Sequence, residues 1–140
     1  MQAQTTQTGQ LLGEIRGKVV SRSIKDITPL GVRLELINEA QFVGAKYTAA
    51  HLETVNMFQS IDGSLQWESK GIESTVEGDM AVFNGRGTGK VVGPAGVKAE
   101  GEWVYMSKSP KLSWLNGTTS RVEITANMAL GEFDIKVFSQ

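Results

Sequence analysis

The chain has a single histidine, His51, and a carboxylate, Glu53, follows it two positions later. On a β-strand alternate residues share a face, which sets such a pair ~7 Å apart along the strand. A carboxylate beside an imidazole can fix its tautomer or raise its pKa, the arrangement used in general acid–base catalysis. Tyr47, Val55 and Met57 share their parity. If that face turns inward, His51 and Glu53 are candidate catalytic residues and Tyr47 a substrate contact. If the opposite face turns inward, Leu52 and Phe58 fill the core and the pair is a solvated surface contact. Both faces mix polar and apolar residues, so periodicity alone leaves the choice open.

A second set is aromatic: Trp67, Trp103, Tyr105 and Trp114. Large rings with a polar tip line many small-molecule pockets, and they are equally ordinary core fillers. Trp67, Trp103 and Tyr105 are the substrate-binding candidates that join Tyr47. Trp103 and Tyr105 follow Val97 and Ala99 on one parity, a small-to-large gradient that suits a tapering lumen. Glu39 and Glu68 stand in reserve as carboxylates with apolar neighbours. Arg86 and Lys90 are readable as contacts to an anionic group or as solvated loop charges.

Other chemistries lack their residues. There is no cysteine, so disulfides, thiolate nucleophiles and Cys/His zinc sites are absent, and no metal or cofactor is expected. One histidine without a G-x-S-x-G turn gives no support to a serine triad. The segment GRGTGKVVGPAGVKAEG, residues 85–101, invites comparison with phosphate-binding loops. A Walker loop fails because Asn84 occupies the first glycine position and Val91 the hydroxyl position. The dinucleotide fingerprint fails because its third glycine falls on Lys90, and no helical pattern follows. Glycine in a sharply bent β-segment is the remaining explanation.

The elements that must position these residues read as strands. Val32, Leu34 and Leu36 alternate with Arg33 and Glu35. Val97 to Tyr105, Val122 to Met128 and Phe133 to Val137 each carry one apolar and one polar face, as in sheets with water on one side. Asp62-Gly63, Asn84-Gly85 and Asn116-Gly117 are hairpin signals, because type I′ turns need positive φ at both central residues. The Asn116-Gly117 signal is expected to join a strand at 111–115 to one at 119–129. Residues 45–58 have Ala45, Ala49, Leu52 and Val55 at helical spacing. They lack a helix cap and run into a hairpin signal, so a strand is expected there. Short connections and eight or nine strands predict an all-β, single-domain, antiparallel eight-stranded barrel, mostly a meander, over 11–140. The Gln/Thr-rich opening, 1–10, reads as a flexible tail.

The run GDMAVFNGRGTGKVVGPAGVKAEGEWVYMS, residues 78–107, resembles a signature of the allene oxide cyclase-like barrel superfamily, which includes dirigent proteins and bacterial relatives. The shared pattern is a strand (Met80–Phe83), a G-x-G-x-x-x-G-x-x-G stretch (Gly87, Gly89, Gly93, Gly96), then a strand with an aromatic end (Ala99–Met106). The resemblance implies a lumen that binds an apolar small molecule and moulds it, in the cyclases with help from a carboxylate and a water. It carries no catalytic residue over to a position of this chain.

The formal charge is −1, with basic and acidic residues interspersed, so no basic stripe points to nucleic acid. No apolar run reaches membrane-spanning length, and the N-terminus lacks the features of a secretory leader; cytoplasmic residence is expected. These readings converge on a homo-oligomeric, cofactor-independent barrel with a hydrophobic cavity, binding an apolar small molecule and acting as a cyclase or isomerase. The alternative from another class is a non-catalytic binding or assembly module with a filled core.

Overall fold

Alternation with a period of two sorts apolar side chains onto one face of each strand, and a sheet with one such face can bury it by curling shut. The computed structural model describes residues 9–140, and it shows this closure. The strands are β1 (Leu11–Thr28), β2 (Gly31–Gly44), β3 (Thr48–Ser60), β4 (Ser64–Ser74), β5 (Met80–Val92), β6 (Gly96–Met106), β7 (Thr119–Asn127) and β8 (Glu132–Ser139). Each pairs antiparallel with the next, and β8 returns to β1, giving a closed meander barrel of eight strands. Ile15, Phe42, Trp103, Val122, Ile135 and Val137 are among the buried residues of its interior.

Glycine and aromatic residues are matched across the strands. Trp67 faces Gly87, which faces Gly101, and Gly71 faces Phe83. A Cβ at Gly87 or Gly101 would lie 2.6 Å from Trp67 Cζ2. The glycine-rich stretch therefore makes room inside the wall for indole rings. β5 runs through it without interruption to Val92. The chain reverses only at Gly93, whose φ is 69°. Asn84-Gly85 accordingly lies within β5 and not in a turn.

Asp62-Gly63 does form the β3–β4 turn, with Gly63 at φ 91°. Residues 110–115 form a 3-10 helix instead of a strand, with Pro110 at its start. Leu112 and Leu115 bury themselves beneath it and close one end of the barrel. Gly117, at φ 73°, then turns the chain into β7. The tail assigned to 1–10 falls outside the described residues up to position 8, and Gln10 is already hydrogen-bonded to Ser139. Beyond Lys18, β1 pairs with β2 alone, and this hairpin arm exposes Ile24, Ile27 and Leu30.

Candidate active site

The orientation of β3 decides whether His51 and Glu53 form a site or a surface. Ala49, His51, Glu53, Val55 and Met57 are buried, whereas Leu52 is 46 % exposed. The inward face is therefore the one that carries the acid–base pair. Register then supplies partners on either side: β3 places Glu53 opposite Asn38 of β2 and His51 opposite Glu73 of β4.

These neighbours are hydrogen-bonded. His51 donates from Nδ1 to Glu73 Oε2 at 3.1 Å and from Nε2 to Glu53 Oε1 at 3.3 Å. Asn38 Nδ2 donates to the same Glu53 oxygen at 3.3 Å. Tyr47 donates to Glu73 Oε1 at 2.6 Å, and Tyr105 to Glu73 Oε2 at 3.3 Å. The imidazole lies against Phe83 and Trp103, with ring centroids 5.2 Å and 5.7 Å away. His51, Glu53 and Glu73 are 2 %, 3 % and 0 % exposed, so the whole relay is removed from water.

Burial is the largest single influence on His51 and opposes its charge. The hydrogen bonds and charges of Glu53 and Glu73 together outweigh it, and its pKa is raised to about 9. At neutral pH the ring is thus an imidazolium with both N–H groups donated to carboxylates. Burial, reinforced by the charge of Glu73, holds Tyr47 and Tyr105 well above the usual phenol range, so both remain O–H donors. Among the described residues, no group of three or more His, Cys, Asp and Glu is placed to hold a metal ion.

A cavity of about 60 Å³ adjoins this cluster. Asn38 and Glu53 are among its lining residues, and apolar and aromatic side chains, Leu36, Met57, Trp67 and Phe133 among them, supply most of the rest. It lies toward the end of the barrel that bears the β3–β4 and β7–β8 turns, with half-buried Val19 and Met128 in its wall. This volume falls short of the few hundred cubic ångströms typical of small-molecule sites. The lumen is narrow because Trp67, Phe83 and Trp103 occupy the space the glycines release. Roomier concavities lie on the outer wall among exposed Arg33, Arg86 and Glu102, away from His51.

The structure thus brings together His51, Glu53, Tyr47 and Tyr105, with Trp103 against the imidazole and Trp67 on the cavity wall. Tyr47 reaches the cluster from the β2–β3 turn and stacks on Phe42 at 4.5 Å, so it is not a strand residue as expected. Trp114, on the 3-10 helix, sits edge-on to Tyr47 at 6.2 Å and beneath Lys46. The reserve carboxylates Glu39 and Glu68 point outward into solvent, as do Arg86 and Lys90, which are strand and not loop residues. Sequence reasoning missed Glu73 and Asn38. Both share the inward parity of recognised core residues, Glu73 with Leu65 and Trp67, and Asn38 with Leu36.

No protein-family model matches the chain, and no curated protein does. Solved structures do resemble it. A protein of unknown function from Clostridium acetobutylicum superposes with a TM-score of 0.82 at 12% identity, covering 93% of this chain and 94% of that one. A conserved protein of unknown function from Rhodopseudomonas palustris gives 0.79 at 11% identity, covering 93% and 95%. A β-barrel-like protein from Acinetobacter baumannii gives 0.78 at 15% identity, covering 93% and 94%. At these identities the likeness is one of fold.

Proposed function

We propose that this barrel binds a small, largely apolar molecule in its lumen and carries out proton transfer on it, an isomerisation or cyclisation of the kind its likeness to allene oxide cyclase-like barrels implies. One observation carries the reading: the inward face of β3 buries a histidine between two carboxylates, and one of these, Glu53, borders an internal cavity. A folded protein has little reason to bury such groups for stability alone, since apolar residues of similar volume often serve as well or better. In this reading Glu53 exchanges the proton with the ligand. His51 is a positioning residue that holds Glu53 by its Nε2 hydrogen bond and is held in turn by Glu73. Trp67 shapes the cavity wall, while Trp103, Tyr47 and Tyr105 fix the relay from behind.

The test begins with binding. Benzene and short alkanols, titrated into the protein, should shift tryptophan fluorescence, because Trp67 borders the cavity. Once a ligand that reacts is found, Glu53→Gln should lower turnover by about 10²-fold or more. A Glu53→Gln protein that stays folded and keeps full activity would overturn the assignment. A second reading, a non-catalytic module with a filled interior, is favoured by the small volume of the cavity. It requires that none of these probes bind.

A further inference from the structure

Where β8 stops, β1 continues, and the barrel keeps one strand edge that its own closure does not cover. We propose that the far half of β1, residues 20–28, is a self-association edge that pairs antiparallel with the same segment of a second copy of this chain.

Two independent observations meet in this segment. β8 accompanies β1 only as far as Lys18, opposite Glu132, whereas β2 accompanies it to Thr28. One side of residues 20–28 therefore has no strand beside it among the described residues. Backbone N–H and C=O groups alternate sides along an antiparallel strand, so about half of those in the segment point outward from the sheet. The second observation is apolar. Ile24 and Ile27 stand opposite Leu34 and Val32, on the face that is buried further along β2 at Leu36 and Phe42. Leu30 and Ile61 extend the patch at the tip, where the Ile61 N–H donates to the Leu30 carbonyl. These four side chains are 63–79 % exposed.

A strand edge is matched by another strand, and three features fit a copy of the same one. Lysine on an edge normally repels an incoming strand. Here Lys25 is drawn to Glu35 on β2, Arg22 donates to the Met128 carbonyl, and Asp26 accepts from the Ile27 N–H. The charges of the segment are thus engaged within their own chain, and like segments meet without like charges opposed. Symmetry is the second feature: a two-fold pair uses up both free edges and ends there. The bulges that interrupt the ladder with β2, between Val19 and Ser21 and between Ile24 and Asp26, work in the same direction by discouraging open-ended strand addition.

Area is the third. Nine residues at ~3.3 Å each make an edge about 30 Å long, which at a sheet depth of ~10 Å presents roughly 300 Å². With the exposed parts of the four apolar side chains the contact reaches on the order of 500 Å² per copy, or about 1,000 Å² in all, the threshold for a specific pair. A bilayer fits less well, because Asp26 and Asp62 flank Ile27 and Ile61 and would meet anionic headgroups.

Sedimentation equilibrium of the full chain at pH 7, from about 1 to 100 µM, tests the assignment. The native chain should reach twice its monomer mass within that range. Ile24→Lys combined with Ile27→Lys should weaken the dimer by roughly tenfold or more. Met106→Lys, on the outer wall and also exposed, should leave it unchanged. Hydrogen exchange in the native protein supplies a measurement that needs no variant. The amides of residues 20–28 should be slowed at the high concentration and released on dilution. A native chain that stays monomeric, a dimer broken by Met106→Lys and not by the double variant, or exchange at 20–28 that ignores concentration overturns the proposal. So does a monomer that binds vesicles of phosphatidylcholine and phosphatidylglycerol through Ile24 and Ile27, which would assign this face to a lipid surface.

Discussion

Raising the pH through the alkaline range should weaken this protein from the inside, with His51 as the trigger. In the folded chain burial works against the imidazolium, but Glu53 and Glu73 outweigh it and raise the pKa from 6.5 to about 9. In the unfolded chain the ring returns to the ordinary histidine value near 6.5. Below that pH both states hold the proton and the full stabilisation is present. Between about 6.5 and 9 the unfolded chain has lost its proton while the folded one keeps it, so stability falls as pH rises. Above 9 the contribution is gone. The difference in pKa corresponds to about 3 kcal/mol at 1.36 kcal/mol per unit. For a domain of this size that is roughly 10 °C in Tm.

The assay is urea denaturation at half-unit steps from pH 6 to 10, on the native chain and on His51→Gln. The variant leaves two buried carboxylates without their cation and should be much the weaker protein at pH 6.5. The gap between the two should narrow by about 3 kcal/mol on reaching pH 9. Tyr47 and Tyr105, held above their usual range when folded, also cost some stability near pH 10 because they ionise in the unfolded chain, but both proteins share that loss and it cancels in the gap. The histidine ring protons, followed by NMR, should titrate with a midpoint near 9. A constant gap, or a midpoint at or below the ordinary 6.5, would refute the claim that the paired carboxylates prevail over burial.

Three further outcomes follow from the packing. Glu73→Gln removes one of the two charges on His51 and should lower its NMR midpoint by about one unit or more; it should also destabilise the protein by about 3–5 kcal/mol at pH 7 in urea melts. Gly101→Val puts a side chain against the Arg86 carbonyl and within 2.6 Å of Trp67 Cζ2; thermal melts should show a loss of about 1–3 kcal/mol or an unfolded product. Leu115→Ala under the 3-10 cap should cost about 2–5 kcal/mol by the same measurement, since the residue is 1 % exposed.

The fold was legible because alternation is a strong signal where one face meets water. Val97 to Tyr105 and Phe133 to Val137 read as strands from their spacing, and the structure places their apolar parity inside. Turn chemistry was less decisive. Asp62-Gly63 and Asn84-Gly85 look equivalent in sequence, yet only the first turns. Residues 64–74 and 96–106 flank β5 on both sides, and a full ladder of backbone pairs keeps Asn84-Gly85 extended. Gly85 is needed there for a different reason: a Cβ would run into Trp103 of the next strand. The Lys111–Leu115 strand did not form although Leu112 and Trp114 alternate with Lys111 and Ser113, because Pro110 sets up a helical turn instead.

Local spacing gave half of the site, and pairing between distant segments gave the rest. His51 and Glu53 are two residues apart, so any reading of one strand brings them together. Glu73 lies 22 residues from His51, and nothing local marks it. It becomes a partner because the tight turn at Asp62-Gly63 fixes the β3–β4 register, which sets residue 51 opposite residue 73. The same ladder sets Glu53 opposite Gly71, where the absent side chain is what admits Phe83 to the interior. A shift of that register by one residue would send Glu73 to the solvent face and leave His51 with a single carboxylate. The turn at Gly63 therefore controls the charge on an imidazole twelve residues away in the chain. Lengthening the β3–β4 turn should weaken the site before it weakens the barrel. The measurement is the NMR midpoint of His51 in a chain with one residue inserted after Asp62. It should move down from about 9 toward 6.5 while the strand content by circular dichroism holds. An unchanged midpoint would mean that side-chain packing around Glu73, and not the turn, sets the register.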